Sequence, residues 1–87
     1  MNKEFEVMGK QIEKVSKSVN KILSDCPEDK KPEVKYGWNG TSIDLYLDGG
    51  SYQVRNMVES HIVNSSKYRS VSISNNDTKK HFNFYLK

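Results

Sequence analysis

Residues 33–48 read Glu33-Val34-Lys35-Tyr36-Gly37-Trp38-Asn39-Gly40-Thr41-Ser42-Ile43-Asp44-Leu45-Tyr46-Leu47-Asp48, and this stretch decides the fold. Asn39-Gly40 at its centre supplies the positive φ angles that a tight type I′ turn requires. On either side apolar and polar residues alternate with the period of two that sends successive side chains to opposite faces of a strand. Pairing Trp38 with Thr41 sets Tyr36 against Ile43 and Val34 against Leu45 on one surface, and Lys35 against Asp44 on the other. The apolar pairs and the charge pair agree, so 33–48 is predicted to be a β-hairpin with one buried and one open face.

Upstream, Phe5, Met8, Ile12, Val15, Val19 and Ile22 recur at steps of three and four, the spacing of one helical stripe, and predict a helix over about 3–24. On its far side Glu6 precedes Lys10, and Glu13 precedes Lys17, by four residues, the favoured orientation for helical ion pairs. Such a stripe also allows a homodimer through this helix. Its flanks Gly9, Gln11, Ser16, Ser18 and Leu23 carry no charges to set pairing, so packing on a sheet is the leading expectation. The segment 25–32 contains Pro27 and Pro32, which disfavour helical continuation, and reads as a linker inside one domain.

Downstream, Gly49-Gly50 ends the strand and Ser51 can cap a second helix over about 51–65. Val54, Met57, Val58, His61 and Ile62 share its inward face, with Arg55 and Glu59 outside it. After Asn64-Ser65-Ser66-Lys67, Val71 and Ile73 alternate with serines, and Phe82, Phe84 and Leu86 alternate with His81, Asn83 and Tyr85. This predicts a second hairpin over 68–87 with Asn76-Asp77 at its tip, Val71 opposite Phe82 and Ser72 opposite His81. Arg69 and Lys80 then fall inward and are expected at the sheet margin, their stems covering apolar surface. The whole chain, 1–87, is expected to form a single α+β domain: a two-layer sandwich in the order α-β-β-α-β-β, with two helices on one face of a four-stranded antiparallel sheet. The order of strands between the hairpins stays open, because the two units can join through either edge.

Composition narrows the classes. A chain of 87 residues has room for one core, and at that size buries only about 60–65% of its unfolded surface. Ala is absent, so the core falls to Val, Ile, Leu and aromatics. The net charge of +3 comes from 12 Lys and 2 Arg. Phosphate and guanine recognition leans on Arg, which makes this basicity a weak pointer to nucleic acid. The single cysteine, Cys26, and the charged start MNKEFEV support neither a disulfide framework nor a secretory signal, so a cytoplasmic location is expected. No apolar run approaches the roughly 20 residues of a membrane span, and no membrane partner is expected.

Reactive constellations are missing from the pattern. Ser, His and Asp occur without a G-x-S-x-G elbow to present a nucleophile. Cys26 is better read as a packing group than as a thiol partner of His61 or His81. One cysteine and two histidines in different elements give no metal spacing. Asp48-Gly49-Gly50-Ser51 leads into a helix start but matches neither phosphate-binding glycine pattern. No catalytic residue, cofactor or metal is expected, and the chain is predicted not to be an enzyme.

Projecting both hairpins places Lys35, Asp44, Tyr46, Tyr68, Ser70, Ser72, His81, Asn83 and Tyr85 on the open face. His81 is the outward histidine, and His61 is expected to be a hydrogen-bonded residue at the core margin. Tyrosines can stack on bases, but they are equally enriched at protein interfaces, and sheet edges accept a partner's strand. The interior leaves little room for a ligand cavity, which typically needs ~300 Å³ or more. The expectation is therefore a small binding protein that docks on a protein partner through Lys35, Tyr46, Tyr68, His81, Asn83 and Tyr85. The alternative is a nucleic-acid-binding module that adds the basic stripe Lys10, Lys14, Lys17 and Lys21, and a helix-mediated homo-oligomer is a third reading. Small size and a Lys/Asn-rich composition suggest a phage or mobile-element inhibitor of a host machine as the setting.

Overall fold

Helix α1 (Lys3–Ser24) exists because its apolar residues find a sheet to cover. Val15, Val19 and Leu23 are buried along one side, with Ile12 and Ile22 packed beside them against the core. The central part of the stripe is therefore occupied within the chain, which removes the surface that a homodimer through Val15 and Val19 would use. Lys10, Lys14, Lys17 and Lys21 face solvent, Lys17 lying 3.9 Å from Glu13. The computed structural model describes residues 3–39 and 42–86, without the side chains of residues 3–8, 39, 70 and 86. The predicted places of Phe5, Met8 and Ser70 and the predicted Asn39-Gly40 turn lie outside the described residues.

A 3-10 turn, Glu28–Lys30, leads into β1 (Glu33–Asn39) and β2 (Ser42–Asp48); α2 (Tyr52–Asn64) follows, then β3 (Tyr68–Asn75) and β4 (Lys79–Leu86). Helices and an antiparallel sheet give the α+β class expected from the sequence. The strands run β1-β2-β4-β3, so the central pair joins the two hairpins. Those central strands carry the core: Ile43, Leu45, Leu47, Phe82 and Phe84 are fully buried against Val15 and Val19 of α1 and Val58 and Ile62 of α2. Each such side chain contributes ~1.5–3 kcal/mol by leaving water. With so few of them, the loss of any one is felt.

The first hairpin pairs Trp38 with Ile43, Tyr36 with Leu45 and Val34 with Leu47, two residues along from the predicted register. The observed pairing matches three apolar pairs across the strands, where the predicted one matched two and set Trp38 against Thr41. A slip of two preserves the pleat, so each residue keeps its face. Only the neighbours change: Lys35 lies opposite Tyr46, and Asp44 opposite Gly37.

The second hairpin departs further. Ile73 pairs with Phe82 and Ser74 with His81, and a bulge between Arg69 and Ser72 then brings Tyr68 opposite Leu86 and Arg69 opposite Tyr85. An extra residue turns everything before it to the other face. Tyr68, predicted on the open face, is instead 7% exposed in the core, its ring edge-on to Phe84 at 5.0 Å and to His61 at 6.3 Å. Arg69, predicted inward, is exposed. The bulge buries a phenol ring that gains apolar contacts and releases a guanidinium that would lose its water.

Ser51 caps α2, its Oγ accepting the N–H of Val54 at 3.1 Å. The helix buries the arc centred on Val54, Val58 and Ile62, and the flank beside it differs from the one predicted. Met57 is 49% exposed, whereas Arg55 is 5% exposed. The Arg55 guanidinium donates to the carbonyls of Gly49, Gly50 and Asp77, tying the start of α2 to the β3–β4 turn. Lys80, 6% exposed, is buried rather than marginal, and its Nζ donates to Glu59 Oε1 at 2.6 Å and to Asn75 Oδ1. His61 Nε2 is buried with no hydrogen bond among the described residues, not bonded as expected. None of the described helices is long and apolar enough to cross a membrane.

Candidate functional site

Both helices pack on one side of the sheet, and the side chains that alternate away from the core form a polar network on the other. Its centre is Asp44, on β2 between Gly37 of β1 and Asn83 of β4. Asn83 Nδ2 donates to Asp44 Oδ1 at 2.9 Å and to Ser42 Oγ at 3.0 Å. His81 Nε2 lies 2.9 Å from the same Asp44 Oδ1. While Asp44 is ionised, that nitrogen must carry the proton. His81 also lies flat on its cross-strand neighbour Tyr46, 4.3 Å between ring centroids and 4° between planes. One carboxylate thus fixes an imidazole, and the imidazole fixes a phenol ring.

The charge on Asp44 is supported by this arrangement. Burial would raise its pKa, but the hydrogen bonds from Asn83 and His81 and the nearby imidazole outweigh that and hold it below the ordinary carboxylate value. Toward the other end of the strands, Lys35 lies 3.7 Å from Glu33 and Lys79 lies 3.8 Å from Asp48. Between these pairs the face sinks into a groove of about 350 Å³ whose lining includes Lys35, Tyr46, Asp48, Lys79 and His81. The space that the interior was not expected to provide lies here, on the surface.

Among the described residues His81 bonds to Asp44 and to no hydroxyl or thiol. Ser74 stands across from His81, yet it makes no hydrogen bond to it among the described residues, and Ser42 receives the Asn83 amide. Among the described residues no group of three or more His, Cys, Asp or Glu could hold a metal ion. What the face offers is a partly aromatic platform, linked by hydrogen bonds and stacking, with a carboxylate at its centre.

Of the predicted site residues, Tyr46, His81 and Asn83 meet in the network around Asp44. Lys35 lies next to Tyr46 across the strands, and Tyr85 lies on the same face opposite Arg69. Tyr68 is excluded by its burial. The basic stripe Lys10, Lys14, Lys17 and Lys21 lies on the helix layer, behind the sheet as seen from Tyr46. Asp44 was placed on this face by the sequence, but its central role was missed; its spacing of two from Tyr46 was the available signal. A separate apolar surface between α1 and α2, with Ile22, Tyr52 and Met57 in its lining, was not anticipated. Comparison with protein-family models, with curated proteins and with solved structures returned no match.

Proposed function

We propose that this chain is a small non-enzymatic binding protein that docks on a protein partner through the open face of its sheet. The observation that carries this reading is the Tyr46–His81–Asp44–Asn83 network, ordered in advance on a face that no helix among the described residues covers. A side chain already held in place loses little conformational freedom on binding, and immobilising a free one costs about 0.5–1.5 kcal/mol. A platform held by its own hydrogen bonds is thus suited to contact. Tyrosine at its centre matches the composition of interface cores.

The nucleic-acid alternative has less support. The lysines nearest Tyr46 each lie beside a carboxylate, and the stripe on α1 faces the opposite way. On the open face a phosphate backbone would meet Arg69, opposite Tyr85, as the cation without a carboxylate beside it among the described residues.

The test is site-specific photo-crosslinking in a native lysate, with the probe placed at Ser72 on the open face or at Lys14 on α1, before and after nuclease. The docking reading expects a protein adduct from Ser72 that survives nuclease and is absent from Lys14. Adducts from Lys14 alone, or adducts that vanish with nuclease, would overturn it.

A further inference from the structure

Gly37 stands in the middle of edge strand β1, and nothing in the strand requires a glycine there. Among the described residues the positive-φ glycines are Gly49 and Gly50, elsewhere in the chain. The β1–β2 register runs without interruption from Glu33 to Asn39. A Cβ built on Gly37 would meet no atom within 4 Å. A glycine inside a regular element forfeits about 0.5–1 kcal/mol relative to Ala. Where neither a bulge nor a bend accounts for it, such a glycine often marks close approach by another group. Gly37 lies directly opposite Asp44, on the open face.

Asp44 is half engaged. Its Oδ1 takes both donors from β4, and its Oδ2 accepts no hydrogen bond among the described residues. On the β1 side its neighbour brings no side chain, and the Tyr46 ring stands two residues along the same strand. An oriented carboxylate with one oxygen available, reached across a bare gap and flanked by an aromatic ring, matches the needs of a guanidinium. That group gives an N–H to the oxygen and lies on the ring with its flat side, which an ammonium cannot do.

We propose that the gap over Gly37 receives an arginine side chain of the partner, whose guanidinium pairs with Asp44 Oδ2 and lies against Tyr46. This rests on the docking face proposed above and names the chemistry of its partner. The remaining carboxylates of the face, Glu33 and Asp48, lie at the far end of the strands, each beside a lysine, and compete poorly for the same cation.

The experiment follows amide signals of the isotope-labelled full chain by NMR while a blocked Ser-Thr-Arg-Thr-Ser peptide, or its citrulline counterpart, is added. The arginine peptide should shift Gly37, Asp44 and Tyr46 saturably, with a Kd at least about fivefold lower than that of the uncharged peptide. Gly37→Thr fills the gap with a residue that favours strands, and should abolish the preference without lowering Tm. Asp44→Asn should abolish it as well. Equal Kd values for the two peptides on the open face would overturn the arginine assignment and leave the docking face standing. An unchanged preference in Gly37→Thr would overturn the assignment too, and shifts confined to α1 and α2 would overturn both readings.

Discussion

The His81 imidazole lies parallel to the Tyr46 phenol, 4.3 Å away, and the contact sits on the side of the sheet away from the core. Its removal should therefore spare the fold. Tyr46→Ala is expected to cost ~1 kcal/mol or less in urea denaturation. The ring protons of His81, shielded by the phenol in the native chain, should move downfield. Loss of the folded state in this variant would mean that the ring belongs to the core.

Acid should weaken the chain partly through Asp44. Its folded pKa lies below the ordinary value, so it adds stability above its unfolded pKa and loses that contribution as pH falls through the folded one. Unfolding free energy measured from about pH 6 down to about pH 3 should fall more steeply for the native chain than for Asp44→Asn. Equal slopes would show that the hydrogen bonds from Asn83 and His81 do not favour the ionised form.

Among the described residues Lys80 and Glu59 form the most buried Lys–carboxylate pair. Glu59→Gln would leave the Lys80 ammonium in a site 6% exposed. The expected cost is about 2–4 kcal/mol, short of a fully buried pair because the Glu59 side chain keeps 32% exposure. Replacing both, Glu59→Leu with Lys80→Met, should recover most of it. A double-mutant cycle by chemical denaturation measures the coupling, and additivity of the two changes would disprove it.

The two glycines before α2 should respond differently to the same change. Both have positive φ, 80° at Gly49 and 68° at Gly50, but a Cβ on Gly49 meets nothing, whereas on Gly50 it would lie 2.5 Å from Pro32 N and 2.6 Å from the Lys30 carbonyl oxygen. That approach is fixed by the Ser51 N–H, which donates to the same oxygen at 2.9 Å. Gly49→Ala is expected to cost about 1–2 kcal/mol, and Gly50→Ala more than about 3. Thermal unfolding should rank them in that order, and the reverse order would contradict the contact.

Alternation and helical spacing made the elements readable, because a period of two or of 3.6 leaves its mark in a single chain. The faces of β1, β2 and β4 followed from it. The face of Tyr68 did not: Arg69 at an inward position before Val71 broke the apolar alternation. Such a break reads equally as a strand end or as a bulge, and the core's acceptance of Tyr68 decides between them. Arg55 and Lys80 were hidden for a related reason. A charged residue is expected outside unless carbonyls or a carboxylate from distant segments surround it, and those segments meet only in the folded chain. The site was legible as a face and illegible as a network: Asp44, His81 and Asn83 are 37 to 39 residues apart across the key contacts. Their meeting depends on β2 pairing with β4, which no local pattern determines.

The extra residue between Arg69 and Ser72 leaves the two flanks of the sheet unequal, an interrupted ladder along β3 and an even one along β1. A sheet that can lengthen from both flanks adds copies without limit, whereas one that can lengthen from a single flank stops after one addition. A bulge on the β3 flank disfavours strand addition there, and a sheet that lengthened from the β1 flank alone would close as a pair instead of growing as a fibre.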